Sequence, residues 1–141
     1  MSETIERDSE ATRDEWIETV RSFCEETAEW SRAQGWEVAW KDAEVTEALL
    51  GTYNVPLLII QTKRGAVMLE PVARCVMGAN GRIDLYAYPT LYRVMLLRSA
   101  RDGRWLIRTD SGIFIKQPWN EETFVSLAND LSVAPDEPPA D

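Results

Sequence analysis

Residues 56 to 116 hold one short apolar run after another. The turn residues between them leave no room for long crossovers. Leu57-Leu58-Ile59-Ile60-Gln61-Thr62 is β-branched and apolar, Lys63-Arg64-Gly65 reads as a turn, and Ala66 to Glu70 resumes the run. Val72 to Met77 continues it beyond Pro71, which has no N–H to give a ladder and so implies a bulge, an edge or a break. Gly78-Ala79-Asn80-Gly81 contains Asn-Gly, the pair suited to a two-residue hairpin turn. Ile83 to Tyr88, Leu91 to Leu97, Arg104 to Thr109 and Ile113-Phe114-Ile115 are further strand candidates. They are divided by Pro89-Thr90, Asp102-Gly103 and Asp110-Ser111-Gly112. Parallel strands need connections of a dozen residues or more, so an antiparallel meander is predicted.

The flanks read as helices. Thr12-Arg13-Asp14-Glu15 fits a capping box, and Trp16, Val20, Phe23, Thr27 and Trp30 then recur at helical spacing up to a stop at Gly35. Trp36 to Trp40 alternates as a first strand, while residues 42 to 53 suit a short helix or a strand equally, ended by Gly51 and Asn54-Val55-Pro56. Asn120 is an expected N-cap for a last helix striped by Phe124, Leu127, Ala128 and Leu131. The expected fold is one α+β domain over residues 1–131, frayed at 1–10. It has an N-terminal helix, an antiparallel meander of about five to seven strands and a C-terminal helix, with both helices on one sheet face. Residues 132–141 read as an acidic, Pro-rich, disordered tail.

A chain of 141 residues can bury a core without disulfides or metal. The first residues are acidic and lack the basic-then-apolar pattern of an export signal. No apolar run is long enough to span a membrane, so a cytoplasmic location follows as the expectation. Cys24 and Cys75 then read as buried thiols rather than a disulfide. The chain has no histidine, which removes Ser-His-Asp and Cys-His catalysis and imidazole metal ligands. No glycine-rich phosphate loop lies between a strand and a helix, and no cofactor or metal is expected.

The net charge of −9 is unevenly placed. Residues 1–34 carry a net −6, residues 35–118 a net +3 and residues 119–141 a net −6. A mildly basic sheet between acidic ends offers two kinds of surface. Arg93, Arg104 and Arg108 are anion-binding candidates. In a strand, Arg104 and Arg108 share a face that excludes Trp105 and Ile107, although the acidic whole argues against a nucleic-acid partner. Six tryptophans are many for this length; the core takes most of them, and any excess leaves one or two for a partner surface, for which Trp36, Trp40, Tyr86 and Tyr88 are the candidates. Asp42 or Glu44 with Gln61 and Lys63 makes a faint metal-nuclease pattern.

Small acidic α+β chains of this kind resemble, as a class only, bacterial binding proteins and secretion-chaperone-like adaptors. The middle helix of that chaperone fold is not evident, and no family is assigned. Several strands are apolar on both faces, which predicts a second copy over the open face and a homodimer. The leading expectation is a non-enzymatic protein-binding module. An anion or nucleic-acid binder is the alternative, and a metal-dependent hydrolase the remote one.

Overall fold

A computed structural model of the chain describes residues 2–88, 93–109 and 117–132. Helix α1 (Ser2–Ala33) is followed by strands β1 (Glu37–Glu47), β2 (Gly51–Gln61), β3 (Ala66–Ala73), β4 (Arg82–Tyr88), β5 (Arg93–Arg98), β6 (Trp105–Thr109) and β7 (Gln117–Pro118). Helix α2 (Glu121–Leu131) comes last. The strands form one antiparallel sheet in chain order, so the fold is α+β with a meander between two helices.

Helix α1 starts at Ser2, ten residues ahead of the expected cap at Thr12. No Gly or Pro interrupts residues 2–11, so the capping-box pattern lies inside the helix. It stops where expected. Gly35 takes φ 80°, its N–H bonds to Arg32, and the Trp36 N–H reaches back 3.0 Å to Ser31 in a Schellman arrangement. Helix α2 is capped as expected: the Asn120 side chain accepts from the Thr123 N–H while Thr123 accepts from the Asn120 N–H.

The ambiguous stretch resolves as the end of β1, a turn at 48–50 and the start of β2. Residues 37–47 pair with 51–61 in an unbroken register, from Glu37 opposite Gln61 to Glu47 opposite Gly51. Asn54-Val55-Pro56 therefore lies inside β2 and does not end it. Pro56 is tolerated because β3 pairs only with Leu58–Gln61, leaving Pro56 a strand neighbour on one side alone. The buried side changes over near Pro56: Tyr53 and Val55 are buried before it, Leu58 and Ile60 after it. The bulge expected at Pro71 is present, as a register shift between Pro71 and Ala73, and β3 ends there. Asn80-Gly81 does not close a two-residue hairpin. Gly81 has φ 149°, and a Cβ built on it would lie 2.2 Å from a ring carbon of Trp16, so this glycine answers the approach of α1. The Ile113–Ile115 strand, Lys116 and the 133–141 tail lie outside the described residues.

One core joins α1 (Trp16, Val20, Cys24, Ala28), α2 (Phe124, Ala128) and inward residues of the strands, including Leu58, Ile60, Leu69, Leu85, Leu96 and Ile107. Both helices thus cover the same sheet face. The opposite, outer face follows from the ladder: Ile59, Met68, Tyr86 and Arg93 lie in one cross-strand row, and Glu70, Asp84, Met95 and Arg108 in the next. Among the described residues no helix lies on it, and none is long and apolar enough to cross a membrane.

Candidate functional site

Five of the six tryptophans belong to one aromatic run beneath the helices. Trp16 contacts Trp105, Phe23 lies between Trp105 (centroids 4.6 Å apart) and Trp119 (5.3 Å, stacked), and Trp30, Phe124 and Trp36 continue it. The middle of this run surfaces. A groove of about 750 Å³ opens between α1 and the β6–β7 edge, and Phe23, Trp105 and Trp119 form its aromatic floor. Glu15, Glu18, Ser22 and Glu26 form one wall, at the three- and four-residue spacing that puts them on one ridge of α1. Arg104, Leu106 and Pro118 form the other.

The groove is asymmetric in charge. At one end the Arg98 guanidinium donates to Glu15 at 2.6 Å and stacks over the Trp16 ring. That hydrogen bond is the main reason the Glu15 carboxyl titrates below its ordinary range. Glu18 pairs with Arg21 on the exposed flank at 2.9 Å, and Glu26 is exposed. Across the groove, Arg104 is exposed and holds Asp102 at 3.6 Å. The side chains lining this groove offer hydroxyls (Thr19, Ser22) and carboxylates; the Thr19 hydroxyl donates to Glu15 at 3.2 Å, and the Arg98 ion pair lowers the basicity of that carboxylate.

The outer face holds a second cluster. Asp84 has no solvent exposure, accepts from Arg82 at 2.8 and 2.9 Å, and accepts from Arg93 at 2.8 Å. Arg93 also sits 4.8 Å over the Tyr86 ring, and the Tyr86 hydroxyl donates to Glu70 at 2.6 Å. Burial, then the Glu70 carboxylate, push the Tyr86 phenol up to about 12. A third feature sits at the hairpin end. Glu47 accepts from the N–H groups of Arg74 (3.0 Å) and Cys75 (2.8 Å) and from the Tyr53 hydroxyl, tying the β1–β2 tip to the β3–β4 connection.

The three candidate anion-binding arginines are not brought together. Arg93 is committed to Asp84, Arg104 lines the α1 groove just ahead of β6 and pairs with Asp102, and Arg108 is exposed on the outer face. The four candidate aromatics also part. Trp36 is buried against Phe124, and Trp40 is 41% exposed on the helix side, near Arg21 and Glu25. Tyr86 lies buried on the outer face, and Tyr88 closes β4 with its side chain outside what the structure describes. Asp42 stands five ladder positions from the residue opposite Gln61, roughly 17 Å along the strand, so the nuclease-like set is not assembled. Among the described residues no three His, Cys, Asp or Glu side chains group as metal ligands. The groove itself was not legible in the chain order: its floor joins residue 23 to residues 105 and 119. The surplus of tryptophan was the one signal pointing toward it.

Comparison with known proteins returns no match: no family model, no curated protein and no solved structure.

Proposed function

We propose that the protein is a non-enzymatic protein-binding module, an adaptor or chaperone-like subunit of the cytoplasm, that seats a segment of its partner in the α1–β6 groove. The observation that carries this reading is the aromatic floor of buried Phe23 and half-buried Trp105 and Trp119, lying beside a wall of glutamates on α1. Rings of this size supply most of the burial energy at protein interfaces, and surrounding charges select and orient the partner. The anion-binding alternative is weakened by the commitments of Arg93, Arg98 and Arg104 to Asp84, Glu15 and Asp102.

The module works as a homodimer through its outer face. Two copies of a chain with net charge −9 repel wherever acidic surfaces meet. The outer face presents Arg108 and the half-buried Arg82, Arg93 and Glu70 among Ile59, Met68 and Met95, a mixture of both signs suited to a two-fold contact.

Binding of the full chain to a peptide array spanning basic, acidic, helical and extended sequences tests the groove. Ser22→Arg serves as the control, because Ser22 is exposed in the groove wall and its replacement fills the groove without touching the core. Retained peptides that Ser22→Arg no longer binds support the reading. An array with no peptide whose retention depends on Ser22 sinks it.

A further inference from the structure

We infer that the segment seated in the groove is a basic amphipathic helix of a separate protein, lying alongside α1; this rests on the protein-binding reading above. Three observations favour a helix over an added strand. The β6 edge is already used at Leu106 and Ile107 by β7, and the Trp119 N–H takes the Trp105 carbonyl at 3.0 Å. Beyond β6 an extended segment would find only the two-residue edge of β7 among the described residues, where Pro118 has no N–H to give, whereas a helix satisfies its own backbone. The wall that α1 offers is itself a helical ridge, Glu15-Glu18-Ser22-Glu26, about 16 Å long at the usual rise per residue. Side chains spaced three and four apart on a partner helix interdigitate with such a ridge. The volume of about 750 Å³ takes the apolar face of that helix, with its large side chains on the aromatic floor, and leaves the helix backbone above the rim.

Charge then fixes both the sign and the side. Glu26 and, eight residues before it, Glu18, which Arg21 shares at 2.9 Å from the exposed flank, occupy the α1 wall, and Arg104 occupies the opposite wall. A partner helix with Lys or Arg one or two turns apart along the α1 side, and neutral or acidic residues toward Arg104, matches the groove in one orientation. The chain's own residues 133–141 carry three acids and no base, so their charge opposes the same rim.

The test uses the full chain and three labelled peptides of about 18 residues, long enough to hold helical turns. One places Leu and Phe at helical spacing with Lys along one flank. The second scrambles that composition, and the third spreads the same lysines along a Pro-containing extended sequence. Fluorescence anisotropy should show the helical peptide binding about tenfold or more tighter than the scramble, weakening with salt. The pair Glu18→Lys/Glu26→Lys should weaken it about tenfold, and Ser22→Arg should abolish it. Leu49→Ser, at an exposed distant tip, should leave it unchanged. Tighter, Ser22-dependent binding of the extended peptide overturns the helix while leaving the protein-binding reading intact. Loss of Ser22 dependence for every peptide removes both. A synthetic 133–141 peptide that displaces the helical one assigns the groove to the chain's own tail, and a dimer lost in Ser22→Arg assigns it to a second copy. Either result overturns the inference.

Discussion

Replacing Asp84 by asparagine should cost this protein about 3 kcal/mol. The carboxylate is fully buried and receives three charged hydrogen bonds, two from Arg82 and one from Arg93. Asparagine keeps the shape, but its amide N–H groups would face guanidinium N–H groups, and two positive charges would lose their common counter-ion. Breaking a buried ion pair by removing one partner typically costs about 3–5 kcal/mol. The lower end applies here because the Arg82 and Arg93 side chains are 30% and 37% exposed and can turn in part toward water. With a urea slope of about 2 kcal/mol/M for a domain of this size, the midpoint should fall by about 1.5 M. Both proteins must be unfolded at one concentration, since self-association through the same face would add to apparent stability. A companion variant, Arg82→Met/Asp84→Leu/Arg93→Met, should be at least as stable as Asp84→Asn, because it removes the charges together. A midpoint shift below about 0.25 M for Asp84→Asn, corresponding to roughly 0.5 kcal/mol, would refute the account of the cluster.

Gly81→Ala places a methyl 2.2 Å from the Trp16 ring at φ 149°, and overpacking with backbone strain should cost about 3 kcal/mol in thermal or urea unfolding; a near-neutral result contradicts the close approach. For Glu47, burial raises the carboxyl pKa, but the bonds from Tyr53, Arg74 and Cys75 outweigh it and hold the folded value below the ordinary 4.5. The resulting stability is present above pH 4.5 and is lost as pH falls through the lower folded value. Glu47→Gln should therefore be about 1–2 kcal/mol less stable near neutrality, with the gap closing in acid, and parallel melting curves against pH would contradict this. Cys24 is buried and pushed up to about 12 by burial, whereas Cys75, expected to be buried in a strand, is exposed because β3 ends at Ala73. A thiol reagent should label one cysteine in the native protein and two only after denaturant, and rapid labelling of both would place Cys24 wrongly.

The local devices were readable because each is local in cause. Gly35 ends α1, Asn120 starts α2, Pro71 bends β3 and Asp102-Gly103 turns the chain, with Gly103 at φ 72°. Where the reading was undecided or differed, a distant partner decides. Residues 42–53 satisfy helix and strand patterns equally, and pairing with 51–61 settles the matter for β1. Asn80-Gly81 carries a hairpin signature, yet Trp16, 65 residues away, uses that glycine as a packing surface, and Arg98 takes its carbonyl. Arg93 and Arg104 look alike in the chain, but one is drawn to a buried aspartate and the other points to water beside Asp102.

The sequence by itself determined an acidic, histidine-free α+β chain, the antiparallel meander between two helices, and the surplus of tryptophan. Only the tertiary structure decided which tryptophans reach the surface and which arginines already have carboxylates. Periodicity and turn chemistry act over a few residues, so they are written in chain order. The groove needs Phe23 beside Trp105 and Trp119, and that closeness arises only when α1 lies across the sheet. It is set by how faces pack, a property no single segment carries.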